Sequence, residues 1–211
     1  SAHPGYRQHI IEAGLVPPLI ALLLTGGVNS QRHASLALAN IAYDDAGSSR
    51  ILQEGGVAVL VGLIDHPVEQ VHGCSVLALG NLARLQQCRT GIIREGGLRK
   101  VVEKFATTNV PLVEHYCLWA MRMLAPEPGA PEIVAASPLL TVVLNKLSSQ
   151  LNVQDSRQHV IAFCGVMCVV ESFREALREF PGRQDLVVAL LVEPGPGRDW
   201  ALTQAPVLPV Q

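Results

Sequence analysis

Apolar residues recur through most of this chain at intervals of three and four, the spacing that gathers them on one face of a helix. The periodic runs are short, and each is cut by glycine, proline, asparagine or serine. A short helix is predicted over GYRQHIIEA, SSRILQEG and CRTGIIREG, each ending at Ala-Gly or Gly-Gly. Glycine there supplies a left-handed cap and lets the chain turn sharply. A second helix follows at once in LVPPLIALLLT, VAVLVGLID and LRKVVEKFA. Pro17 and Pro18 fall in the first turn of one of them, where a missing N–H costs little. After a loop (GGVNS, HPVEQ or TTNVP) comes a longer third helix, over roughly 30–43, 68–84 and 111–125.

These triplets are copies of one unit. LALANIAYDD at 36–45 and LALGNLARLQ at 77–86 read almost alike, and Asn40 and Asn81 are 41 residues apart. Gly14, Gly56 and Gly97 follow at separations of 42 and 41. In the third copy, LWAMRMLA, Arg122 stands in the asparagine's place. A period near 40 belongs to helical solenoids. Small residues crowd the third helices, Ala34, Ala37 and Ala39 in the first and Gly73, Ser75, Ala78 and Gly80 in the second, as close stacking requires. SPLLTVVLNKL and QDSRQHVIAFCGVMCVV supply a degenerate fourth copy. The expected repeats are 4–43, 47–84, 88–125 and 131–170, with a partial unit or capping pair over 171–192, together one repeat domain, 1–192. The segment 193–211 carries prolines at 194, 196, 206 and 209 and is expected to be extended, either docked through Trp200 and Leu202 or hanging free.

The unit of about 41 residues, the Glu-(Ala/Gly)-Gly-(Leu/Val) break and the third helix with its Ala-Leu-small-Asn-(Ile/Leu)-Ala pattern resemble the armadillo repeat family over about residues 5 to 125. That resemblance implies an all-α, right-handed α–α superhelix of about four to five three-helix repeats, its concave groove lined by the third helices. Steps of four, seven and eleven back from Asn40, Asn81 and Arg122 keep to one helix face. They select Leu36, His33 and Asn29 in the first copy, Leu77, Cys74 and Gln70 in the second, and Leu118 and His115 in the third; Arg32 lies beside the first set. An asparagine offers both donor and acceptor, so Asn40 and Asn81 either pair with the backbone of an extended peptide or tie to the neighbouring repeat. Leu36, Leu77 and Leu118 give apolar contact, while Arg32, His115 and Arg122 meet polar or acidic groups. Importin-α-like receptors place tryptophan four residues before the ladder asparagine. Leu36 and Leu77 stand there in this chain, and Trp119, three before Arg122, is expected to face the core. Glu69 and Glu114 reach only the edge of the wall, so a basic import signal is not the expected ligand.

Composition narrows the function further. The chain is 49% hydrophobic, 16% charged and 4% aromatic with a formal charge of −2, so neither nucleic acid nor membrane insertion is expected. Five cysteines without a CxxC pair read as free thiols in a reducing, intracellular compartment, the cytoplasm first, with nucleus and cilium as alternatives. The first residues, Ser-Ala-His-Pro, hold no initiator methionine, which leaves room for sequence upstream. His33, Cys74 and His115 occupy matching positions in successive units, but rungs about 8–10 Å apart cannot converge on one ion at 2.0–2.3 Å. Cys164, Cys168 and His159 lie among Val, Met, Phe and Gly and read as packing. No nucleophile, Walker or zinc-protease motif is present, and Asp44 and Asp45 read as a helix cap. The expected function is therefore non-enzymatic and cofactor-free: a scaffold or adaptor that binds a protein or peptide segment in its groove. The alternative is a structural subunit of a larger cytoskeletal or ciliary complex, contacting partners through its convex face and ends.

Overall fold

A computed structural model describes residues 4–191 and 195–204 of the 211-residue chain. The helices come in threes. The first unit comprises α1 (Pro4–Glu12), α2 (Val16–Thr25) and α3 (Val28–Ile41); the second α4 (Asp45–Gln53), α5 (Gly56–Leu63) and α6 (Glu69–Leu82). The third holds α7 (Gln86–Arg94), α8 (Gly97–Thr107) and α9 (Pro111–Leu124), the fourth α10 (Ala130–Ala135), α11 (Leu140–Gln150) and α12 (Gln154–Met167). A fifth follows in α13 (Glu171–Glu179), α14 (Arg183–Leu190) and α15 (Pro196–Gln204). No strand occurs among the described residues. Third helices lie side by side in the order α3, α6, α9, α12, α15, with the second helix of each of the first three units packed behind its own third helix.

Local chemistry sets the turns. Asp44 caps α4 as expected, its carboxylate accepting from the Ala46 N–H at 2.9 Å. The turn between first and second helices is made by Gly14, Gly55 and Gly96, with φ of 67°, 74° and 75°. These are spaced 41 and 41, so the period is regular, and the second glycine of each Gly-Gly pair has another task. Gly56 and Gly97 begin the second helix, where a Cβ would come within 2.8 Å of Ile51 Cγ2 and 2.6 Å of Ile92 Cγ2.

One hydrophobic core runs through all five units, from Val16 and Leu38 through Leu79 and Phe105 to Phe163 and Phe173. The small residues sit where third helices meet. Ala34, Ala39 and Ala78 are buried, and the buried Ser35 and Ser75 hydroxyls meet across the α3–α6 seam at 3.3 Å. With neighbours this close, larger side chains on the seam would hold the helices apart.

The extended tail expected over 193–211 is corrected in its described part. Pro196 opens α15 at a position that needs no N–H, and one face of the helix buries Trp200 (6% exposed) and Ala201. Gly197 meets Gly165 of α12 so closely that a Cβ on it would stand 2.6 Å from the Gly165 Cα. The segment is thus the third helix of a fifth unit, and the pair over 171–192 is its first two helices; residues 205–211 lie outside the described residues.

Candidate functional site

The third helices present a wall opposite the first and second helices. On α3, Asn29, His33, Leu36 and Asn40 are exposed, with Arg32 half-buried beside them. On α6, Gln70 is exposed, and Cys74 and Leu77 are half-buried. On α9, His115 and Arg122 are half-buried. Two of the expected wall residues are not on the surface. Leu118 is fully buried, because the uncovered line on α9 runs Leu112, His115, Trp119, Arg122, in steps of three, four and three. One residue is 100° of helix, enough to turn Leu118 into the seam.

Asn81 is the second correction. Its side chain is 8% exposed and both ends are engaged. Nδ2 donates to the Ala39 carbonyl of the preceding third helix at 2.9 Å, and Oδ1 accepts from the Trp119 indole N–H at 3.2 Å. It therefore ties three units together, and burial leaves little of it open to a peptide. Asn40, its counterpart one unit earlier, is exposed. The two asparagines of the motif do different work.

Trp119, expected in the core, instead lies half-buried on the wall over Gly80, whose missing Cβ makes room for the indole. Its ring meets His159 of α12 edge-on at 5.4 Å between centroids, and His115 meets the same imidazole at 5.6 Å. Arg122 Nη1 donates to His159 Nδ1 at 2.8 Å. Burial lowers the His159 pKa below the ordinary value, and the Arg122 and His115 charges push the same way. Across the groove, Arg32 Nη2 donates to His33 Nε2 at 2.8 Å, and its charge is felt by Cys74, whose thiol burial pushes up. Trp119 and His159 are functional candidates that counting in steps from Arg122 does not reach. Gly80 was the available signal: a ring in the column of Ala37 and Ala78 needs a gap on its neighbour.

Among the described residues no cluster of three or more His, Cys, Asp or Glu is arranged to hold a metal ion, and no helix is long and apolar enough to cross a membrane. The arrangement provides hydrogen-bond donors, two guanidinium groups, an aromatic face and short apolar patches. Such a wall can bind an extended chain.

Comparison with known proteins agrees with the fold. A family model described as Armadillo/beta-catenin-like repeat matches residues 3–43. Importin subunit alpha-1b of Oryza sativa subsp. japonica is 27% identical over 146 residues, 68% of this chain and 27% of that protein. Vacuolar protein 8 of Aspergillus oryzae is 33% identical over 123 residues, 56% of this chain and 21% of that one. The chain thus spans about a quarter of the length of these curated relatives. Among solved structures, a designed armadillo repeat protein in complex with the peptide (KR)4 superposes with a TM-score of 0.76, covering 96% of this chain and 87% of that one at 20% identity, a likeness of fold.

Proposed function

We propose, on the premise that this chain belongs to the armadillo repeat family, that it is a non-enzymatic protein-binding scaffold holding an extended partner segment along its third-helix wall. The observation that supports this reading is the uncovered line of polar and aromatic groups over a wall otherwise sealed by packing. Asn29, His33, Leu36 and Asn40 continue into Gln70, Cys74 and Leu77, then into His115, Trp119 and Arg122, and end at His159. The designed armadillo repeat protein of like fold is in complex with a peptide. Binding on a preformed wall costs little reorganisation of the scaffold, which suits segments that are themselves disordered.

Peptides selected from a random library against the full chain test this. They are expected to lose about tenfold or more in affinity when Trp119→Ala and Arg122→Ala are combined, with circular dichroism unchanged. His33→Ala, at an exposed position, is the milder companion variant. Selected peptides that bind the double variant as tightly as the parent chain overturn the groove reading.

A second reading, a building block of a larger assembly, is favoured by the outer face of the first unit. Leu19 is half-buried where its counterparts Leu60 and Val101 are sealed, and Leu15 and Leu22 are exposed. Asn40 is open where Asn81 is tied down. Light scattering over a concentration series decides: a monomer throughout removes end-to-end packing of this chain.

A further inference from the structure

Away from the wall, several cations meet carboxylates: Arg50 with Glu54, Arg89 with Glu127, Lys100 with Asp65, Lys146 with Glu114, Arg174 and Arg178 with Glu171. Others, Arg84, Arg157 and Arg183, donate to backbone carbonyls. Among the described residues the two wall arginines do neither: Arg32 and Arg122 have no carboxylate within 4 Å, and each donates instead to an imidazole nitrogen. A guanidinium can only donate, so His33 Nε2 and His159 Nδ1 accept, and each imidazole holds its arginine without neutralising it. One of five N–H groups is used in each of these bonds, and the rest keep their fork geometry for a planar anion.

The acidic residues of these helices lie elsewhere. Glu69, Glu114 and Asp155 all fall in first turns, at one rim, where the helix dipole favours them. Glu114 is already paired with Lys146 and also accepts from Gln150. Arg32 stands at the level of Glu114 in its own unit, two repeats earlier, while Arg122 and the imidazoles of His33, His115 and His159 lie past that rim.

We propose that the groove selects an extended segment of a partner protein bearing two carboxylates about six residues apart, one held by Arg32 and the other by Arg122. The proposal rests on the groove reading above. The spacing follows from the architecture. Arg32 and Arg122 are two rungs apart, roughly 16–20 Å. Their levels along the helices differ by eight residues once the 41-residue repeat is taken twice, a further rise of about 12 Å. The diagonal is roughly 20–23 Å, six or seven residues of extended chain at about 3.3 Å each. Six, an even number, puts both acidic side chains on the side facing the wall. The alternate residues between them then face Leu36, Cys74, Leu77 and the Trp119 ring.

Three capped heptapeptides test the proposal against the full chain carrying Trp200→Phe, which leaves Trp119 as the sole tryptophan and fluorescent reporter. All have apolar residues at the alternate inner positions; the two ends are glutamate, glutamine or lysine. The glutamate-ended peptide is expected to bind about tenfold or more tighter than the glutamine-ended one, a gain that added salt diminishes. Arg32→Gln and Arg122→Gln should each remove part of that preference, and the pair all of it. A fourth heptapeptide, with its two glutamates moved to the centre, should show no preference over the glutamine-ended form. Equal binding of the glutamate and glutamine peptides overturns the charge assignment while leaving the groove intact, and so does tighter binding of the lysine peptide. Should no peptide bind, and none selected from a library bind either, the groove itself fails and this inference with it.

Discussion

At the scale of single residues, Asn40 and Asn81 separate position in a repeat from role. Asn81→Ala strands the Ala39 carbonyl and the Trp119 indole N–H inside a packed seam. A stability loss of about 1–3 kcal/mol in urea unfolding is expected, with Asn40→Ala within about 0.5 kcal/mol of the parent chain. Equal costs would contradict the tie assigned to Asn81. The 41-residue period was enough to locate both residues. It could not give the rotational setting of each third helix, which is why Leu118 and Asn81 were expected on the surface and Trp119 was not. His159 carries a further consequence. Its folded pKa lies below the ordinary 6.5, so the folded chain binds fewer protons than the unfolded chain as the pH falls. The stability present above that ordinary value is therefore lost as the pH drops through it toward the folded value. His72, buried against the His66 carbonyl, is shifted in the same direction, burial being the largest cause. The melting temperature should fall on acidification, and less steeply in His159→Gln, which keeps an acceptor for Arg122 without titrating. An unchanged slope would mean that the imidazole takes up protons alike in the folded and unfolded states.

At the scale of elements, the turns were legible and the last helix was not. The Gly-Gly and Ala-Gly breaks announced every first-to-second turn of the first three units. Glycines in pairs do not reveal which one turns, and the structure assigns the left-handed residue to Gly55 and Gly96. Gly96→Ala should cost about 1 kcal/mol from the positive φ alone. The prolines of segment 193–211 point to an extended chain. Yet proline at the first position of a helix is permitted, and the apolar spacing of Trp200 and Ala201 is what α15 buries. The Trp200 indole nitrogen has no hydrogen-bond partner among the described residues, so its value lies in volume. Trp200→Phe should be close to neutral, whereas Trp200→Ala should cost about 3–5 kcal/mol by leaving a cavity against α12 and α14. Thermal melts of the two variants distinguish a docked third helix from an appended tail, for which both changes would be silent.

At the scale of the whole molecule, a solenoid is held by contacts between neighbours, so its stability is closer to a sum over units than to one global transition. The cysteines are placed to read this. Cys88 and Cys117 lie in the third unit and Cys164 and Cys168 in the fourth, all buried, while Cys74 in the second is half-buried on the wall. Burial pushes the Cys88 thiol up to about 11 and those of Cys117 and Cys168 to about 12, with Cys164 raised as well. Since the thiolate is the reactive form, these four react only when their unit opens. The fourth unit loses half its support whenever the fifth detaches, whereas the third keeps a neighbour on each side. Thiol labelling followed by mass spectrometry should therefore modify Cys74 first, then Cys164 and Cys168, and Cys88 and Cys117 last. Deleting α15 should speed only the middle pair. A single shared rate for all four buried thiols would instead mean that the five units open together, as one cooperative body.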